Sequence, residues 1–322
     1  MADLPTDSDS QQGSTGGRIP GAPGIAAFRV LAPEPSILPV MIAVPHAGRA
    51  YPKPLLRELR HPGSAVLKLE DRYVDKVGQA VARATGAALL FAQAPRAMID
   101  LNRAPEDVDW EMFGKAARPD EPLHAGPSTS SRRARTGLGL IPRRLPGIGE
   151  LWRRRHDEQD LSARIAQIHQ PYHAQLAEML AQLRERWGAA LLIDLHSMPP
   201  LAPRAGQPAA EFVIGDRFGA ASHGSLVAAA FSHFAERQRP AAHNRPYAGG
   251  YVLERHAHPR LGVHALQIEI DRSCYLDSQL LEPGPGFDEV VDVLSSLVRK
   301  LAGAVADLAD PSGERNWPLA AE

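Results

Sequence analysis

Cysteine is almost missing from this sequence: Cys274 is the only one in 322 residues. That excludes a disulfide framework and a thiolate zinc site, so any metal must be held by imidazoles and carboxylates. Lysine is scarce too. Only Lys53, Lys68, Lys76, Lys115 and Lys300 occur among 36 basic residues, a compositional habit with no functional signal. Net charge is close to zero, at −1, which removes any global electrostatic reason to bind nucleic acid or an anionic membrane. No apolar run is long enough to cross a bilayer. The first residues lack the basic flank and apolar core of a signal peptide, so a cytoplasmic protein is expected.

What is present suffices for one full-sized core. Hydrophobic residues make up 44% of the chain, and the length suits a single α/β domain with insertions. Residues 1–24, rich in Ser, Gly, Asp, Gln and Pro, read as a disordered N-terminal arm. The domain is expected over residues 25–310, with residues 311–322 as a C-terminal tail. Residues 38–44 (LPVMIAV) read as a buried strand. His46 follows on the loop past its C-terminal end, where open α/β sheets bind ligands.

Residues 71–84 read as a helix with Val74, Val77 and Val81 on one face and Gly86 as its stop. Residues 88–93 read as a strand, and residues 97–101 as another that leads into Asn102 and Arg103. The irregular stretch 104–150 is too long for a plain connection and reads as a lid or functional insertion. Residues 156–187 carry a helical period, and Pro171 within it predicts a kink or two abutting helices. Gly188 ends it. The segment AALLIDLH, residues 189–196, is a buried strand with His196 at its end. A helix at 222–237, a strand at 264–270 and a helix at 287–308 complete the pattern. The alternation predicts an α/β three-layer sandwich around a mixed, mostly parallel sheet.

His46, His196 and Glu269 all fall at or near strand ends. A catalytic zinc needs about three protein ligands and an open position, and two histidines on neighbouring strand ends supply two of them. The third should be a carboxylate before the next helix, where LEDRYVD offers both Glu70 and Asp71. Either histidine alone reads more readily as a surface or capping residue than as a ligand; the pair points to a metal. Asp194 shares a strand face with His196, so it either orients an imidazole or caps a neighbouring loop.

In HALQIEIDR the side chains of Leu266, Ile268 and Ile270 face one way, and those of Gln267, Glu269 and Asp271 the other. A buried Glu269 must be paired, with Arg272 or another arginine, or functional. Its functional reading is a base that takes a proton from water and returns it to a leaving nitrogen. Arg96, Asn102 and Arg103 suit a carboxylate, although spacing alone favours a capping Asn and solvated arginines. The Arg-rich stretch 132–155 lacks interleaved aromatics apart from Trp152. It therefore reads as a solvated lid, not a nucleic-acid surface.

Eight segments, VPHAGRAYP, EDRYVD, RAMIDLNR, TGLGLIPR, RIAQIHQPYH, LLIDLHSM, HNRPYAGGY and GVHALQIEIDRSCY, occur in the order found in N-formylglutamate amidohydrolases. Over residues 38–300 the chain resembles that family. The resemblance implies a sheet akin to that of the zinc carboxypeptidases and one Zn2+ per chain. It also implies a small-molecule N-acyl amino acid as substrate, with no nucleic-acid or membrane partner. The implied reaction removes a formyl or similar acyl group from an acidic amino acid, giving formate and glutamate in histidine breakdown.

By the same motifs, His46, His196 and Asp71 would hold the zinc, with Glu70 as the alternative carboxylate, and Glu269 would be the general base. Asn102 and Arg103, helped by Arg96, would bind the substrate carboxylate; His173, Asn244 and Tyr247 would line the pocket. Arg245 departs from the pattern where a small or apolar residue is expected, so amide hydrolysis is more firmly implied than formyl specificity. The rival readings are a carboxypeptidase-like or deacylating hydrolase of other N-acyl amino acids, and a non-catalytic metal- or anion-binding relative. Glu269 speaks against the last, because binding alone needs no base.

Overall fold

Largely aliphatic segments form the centre of one sheet. The computed structural model describes residues 12–114, 136–203, 206 and 208–310. In chain order the strands are β1 (Gln12–Gly16), β2 (Phe28–Ala32), β3 (Val40–Val44), β4 (Ala88–Ala92), β5 (Arg144–Leu145), β6 (Gly149–Glu150), β7 (Ala190–Met198), β8 (Phe212–Gly215), β9 (Ala241–His243) and β10 (Val263–Asp271). The helices are α1 (Lys53–Glu58), α2 (Pro62–Leu69), α3 (Val74–Thr85), α4 (Glu158–Arg164), α5 (Gln170–Trp187), α6 (Gly224–Glu236), α7 (Tyr251–His256) and α8 (Phe287–Ala309).

The sheet runs β1-β2-β4-β3-β7-β10-β8-β9, with β5 and β6 forming a separate hairpin. Strands β4, β3, β7 and β10 are mutually parallel. β2 joins them antiparallel on one side and β8 on the other. The four parallel strands carry the apolar runs because both of their faces are covered.

One face bears Val40, Ile42, Val44, Leu191, Ile193, Leu195, Leu266, Ile268 and Ile270, packed with residues of α3, α6 and α8. The opposite face carries Met41, Ala43, Leu192 and Ala265, covered by residues of α1, α2, α4 and α5. The result is the three-layer α/β sandwich that the alternation predicts. Gly78 lets α3 lie close on the sheet, since a Cβ there would stand 3.1 Å from Val44 and 3.3 Å from Leu89. Gly86 ends α3 and Gly188 ends α5, each in the left-handed conformation that glycine adopts without strain.

Two expectations are corrected. Residues 97–101 are not a strand: Met98 and Ile99 turn back onto the Pro95 carbonyl, and Asp100 N–H bonds to Leu140 O. Their apolar side chains join the α5-side core instead of a ladder.

The arm at 1–24 is ordered over residues 12–24, while residues 1–11 lie outside the described residues. Strand β1 pairs with β2, and the residues just past it meet the helix break at Pro171. Lacking an N–H, this proline cannot bond to the carbonyl four residues back, at Gln167. Between α4 and α5, residues Ile165–His169 widen into a π turn, and Gln167 O accepts the backbone N–H of Arg18 at 2.9 Å. The predicted kink is thus a bulge whose freed carbonyl docks the arm.

Within the insertion, residues 115–135 lie outside the described residues, as does the tail at 311–322. The remainder supplies a 3-10 turn at Trp110–Phe113 and the β5–β6 hairpin.

Candidate active site

A cleft of about 430 Å³ opens over the C-terminal ends of β3, β7 and β10, and among its lining residues are His46, Asp71, Arg96, Arg103, His196, Tyr247 and Glu269. Strand geometry brings three of these together. His46 lies two residues beyond β3. His196 lies near the end of β7 and is in register with Glu269 on β10. Asp71 follows α2, and its N–H bonds to the His46 carbonyl at 3.0 Å. Glu70 turns the other way, toward Arg72 at 3.1 Å, so Asp71 is the carboxylate that reaches the histidines.

Asp71 Oδ2 stands 2.9 Å from Nδ1 of His196 and 3.6 Å from Nδ1 of His46. On the far side of each ring, Nε2 of His46 lies 2.7 Å from Asp100 Oδ1, and Nε2 of His196 lies 2.9 Å from Asp194 Oδ2. A carboxylate can only accept, so each Nε2–H donates outward. A neutral ring then turns its Nδ1 lone pair toward Asp71, another acceptor. Three acceptor atoms facing one point repel unless positive charge sits among them, as a proton or a cation.

The atoms lie within 4.8 Å of one another and all three residues are buried. Two imidazoles and a carboxylate, each imidazole oriented from behind by a second carboxylate, fit a zinc ion that keeps a position open. Burial opposes charge on His196, but Asp194, Asp71 and Glu269 outweigh it and hold the imidazole pKa well above its ordinary value. Burial likewise pushes Asp71 up, yet hydrogen bonds from His196 and His46 hold it well below the usual carboxylate range.

Glu269 is 6% exposed. Burial, reinforced by Asp71 and Asp194 and opposed by His196 and Arg96, raises its pKa to about 7. Its Oε1 accepts from Gln267 Nε2 at 2.8 Å. Arg272, its expected ion-pair partner, serves Asp71 instead. The guanidinium reaches Asp71 Oδ1 at 3.4 Å, the Glu70 carbonyl at 2.6 Å and Ser197 Oγ at 3.1 Å, which leaves Asp71 Oδ2 for the histidines. Arg96 donates Nε to Asp100 at 2.9 Å, and Arg103 donates Nε to the Leu138 carbonyl at 3.0 Å. The leading edge of the insertion joins the wall through Leu138, Pro142 and Leu145.

Other predicted site residues bond to protein groups. Asn102 reaches the cleft but is 7% exposed, and its amide is engaged by protein groups. His173 lies behind the lining, with Nε2 donating to Leu101 O at 3.0 Å. Asn244 is a brace: it holds Asp216 with its Nδ2 at 2.7 Å and its Oδ1 at 3.0 Å. Arg245 is exposed and is not among the residues lining the cleft. Asp100, Gln267 and Arg272 were missed as site residues. Alternation already placed Gln267 on the face of Glu269, a signal available in the sequence. Asp100 lay hidden in a segment read as a strand.

Comparison with known proteins identifies the family. Residues 38–276 match the family model for N-formylglutamate amidohydrolase. N-formylglutamate deformylase of Pseudomonas putida is 30% identical over 258 residues, covering 77% of this chain and 86% of that one. The Pseudomonas aeruginosa protein of the same name is 28% identical over 244 residues, 70% of this chain and 83% of its own. The crystal structure of N-formylglutamate amidohydrolase from Ralstonia eutropha superposes with a TM-score of 0.76 at 31% identity, covering 87% of this chain and 99% of that one. On the sequence match, the shared fold and the strand-end site together, the chain belongs to the N-formylglutamate amidohydrolase family.

Proposed function

We propose that this chain hydrolyses the N-formyl, or a similar N-acyl, amide of an acidic amino acid, with N-formyl-L-glutamate giving glutamate and formate. The observation that carries the proposal is the convergence of His46 Nδ1, Asp71 Oδ2 and His196 Nδ1 beside Glu269. These three atoms would hold one zinc ion. When bound, such an ion supplies Lewis acidity, polarising the amide carbonyl and making water acidic near neutral pH.

Glu269 takes the proton of the attacking water on Oε2, because Oε1 is occupied by Gln267. It then delivers that proton to the departing amine, turning a poor leaving group into a neutral one. In the metal-free protein burial makes Glu269 more basic than an exposed glutamate, so it binds a proton more readily than a free side chain would. Asp100 and Asp194 hold the imidazoles, and Arg272 holds Asp71. Arg96 uses only its Nε for Asp100, so its terminal amines serve a substrate carboxylate or the developing oxyanion, with Arg103 beside it. The walls set Lys68, Arg96, Arg103 and Arg272 against Asp71, Asp100 and Glu269, and a bound zinc ion would tip that balance toward an anionic ligand.

The test is release of free amine from N-formyl, N-acetyl and N-succinyl forms of Glu, Gln, Asp and His, with and without added zinc. The expected outcome is zinc-dependent turnover with formyl-Glu preferred. Preference for another acyl group would reassign the substrate within the same chemistry, and no turnover on any amide would overturn the proposal. Glu269→Gln should keep metal and substrate affinity while kcat falls roughly 10²–10⁴-fold, the span of a positioned acid–base group.

A further inference from the structure

We propose that Gln267 is a positioning residue for Glu269, and that Asn102 sets the direction in which the Gln267 amide points. This rests on the reading of Glu269 as the proton acceptor.

An amide side chain fits a hydrogen-bond chain in two orientations, and only a partner of fixed polarity decides between them. Here that partner is a backbone group. Val252 N–H, in the first turn of α7, donates to Asn102 Oδ1 at 2.9 Å. Asn102 must therefore turn Nδ2 toward the sheet, where it stands 3.3 Å from Asp194 Oδ2, 3.3 Å from His196 Nε2 and 3.5 Å from Gln267 Oε1. With its oxygen facing Asn102, Gln267 must turn Nε2 toward Glu269, whose Oε1 lies 2.8 Å away. The chain runs one way, from a helix N–H to the buried carboxylate.

The loop that carries Asn102 is held on both sides. His173 donates to the Leu101 carbonyl at 3.0 Å, and His169 donates to the Arg103 carbonyl at 2.9 Å. Asn102 N–H itself bonds to Asp100 Oδ1 at 2.9 Å.

A buried strand position between Leu266 and Ile268 ordinarily takes an aliphatic side chain. An amide there is tolerated only when its polar atoms are bonded. At Gln267 (4% exposed) the bonds it makes have a chemical consequence. The donated N–H occupies Oε1, fixes the plane of the carboxylate and leaves Oε2 to face the reacting water. It also favours the ionised form that can accept a proton.

The test uses full-length, zinc-loaded protein. Gln267→Met keeps length and volume but cannot hydrogen-bond. Metal content and KM should stay within about twofold, while kcat falls roughly ten- to hundredfold, as expected for losing a hydrogen bond to a charged group. Losing the donor should also move the acidic limb of the kcat–pH profile upward. Gln267→Glu retains the shape and places a second carboxylate against the first. It should move that limb further in the same direction, and it carries the test if the Met variant is unstable.

In a Glu269→Gln background, Gln267→Met should cost no further kcat. The proposal is overturned by unchanged kcat and pH profile in both single variants. It is equally overturned by a rise in KM at constant kcat, which would make Gln267 a substrate contact. Normal turnover in Glu269→Gln alone would remove the general-base reading, a failure separate from either of these.

Discussion

Two groups of buried histidines lie on either side of the loop at residues 101–103, and they are opposites. In the cleft, His46 and His196 turn Nε2 to carboxylates and Nδ1 to Asp71. Behind the loop, His169 and His173 turn Nε2 to backbone carbonyls, and His173 Nδ1 accepts from Nε2 of His256 at 2.9 Å. Burial is similar in both groups, between 1% and 5% exposed. The charge preference of His196 is the reverse of that of His173 and His256. His196 is held well above its ordinary pKa by carboxylates, in spite of burial. Burial, with neighbouring cations and imidazoles, holds His173 well below it and His256 at about 3. What separates the candidate ligand His196 from the structural imidazoles is therefore what its second nitrogen meets, since burial alone drives every histidine neutral.

The largest expected effect breaks the cleft group outright. His196→Ala should abolish binding of the single divalent ion, and hydrolysis with it, in a protein that stays folded. Elemental analysis beside a melting curve checks this, and full metal retention in the variant would refute the assignment. The equivalent loss at His173 should leave metal content untouched.

A smaller change sharpens the contrast without removing a ligand. Asp194→Asn keeps the shape but takes the negative charge from behind the His196 ring. Metal affinity should fall by roughly 10–100-fold, the usual effect of losing such an orienting partner, as read by competition with a chromophoric chelator. Lowered stability with unaltered affinity would mean that Asp194 serves the fold and not the metal.

The smallest effect is a slope. His256 is neutral when folded, with a pKa near 3, and protonates at about 6.5 when unfolded. Between those values the unfolded state binds more protons, so stability falls as pH drops from about 6.5 toward 3 and is unaffected above that window. Each such group contributes at most about 1.4 kcal/mol per pH unit. His196 in the metal-free protein has the opposite sign, since a raised folded pKa stabilises at low pH and loses that contribution as pH rises through it. Chemical unfolding of metal-free protein across this range should show a shallower acid slope in His256→Gln, which still offers a donor to His173. An unchanged slope would mean that His256 is not neutral in the fold.

The strand cores, the positions of His46, His196 and Glu269 at strand ends, and the inward face of β10 were legible because period-two patterning is a local property. Strand β1 was not. Its composition is that of a disordered segment, yet it pairs along its length with β2, and just past it Arg18 N–H bonds to the Gln167 carbonyl, about 150 residues away. Likewise, nothing near Asp100 marks it as the partner of His46, 54 positions away. Its own segment reads as a strand until the Leu140 carbonyl captures its N–H.

The sequence by itself determined which residues could face the α5 side of the sheet at the ends of its parallel strands, because alternation along a buried strand follows from backbone geometry alone. Only the tertiary structure turned Asp71 and not Glu70 toward the histidines, turned each imidazole's Nδ1 inward, gave Arg272 to Asp71, and set the Asn102 amide between Val252 N–H, Asp194 and Gln267. Those outcomes depend on which donor or acceptor meets each polar atom once the chain is packed. Such partners are contributed by segments far apart in sequence, whose approach no local pattern encodes.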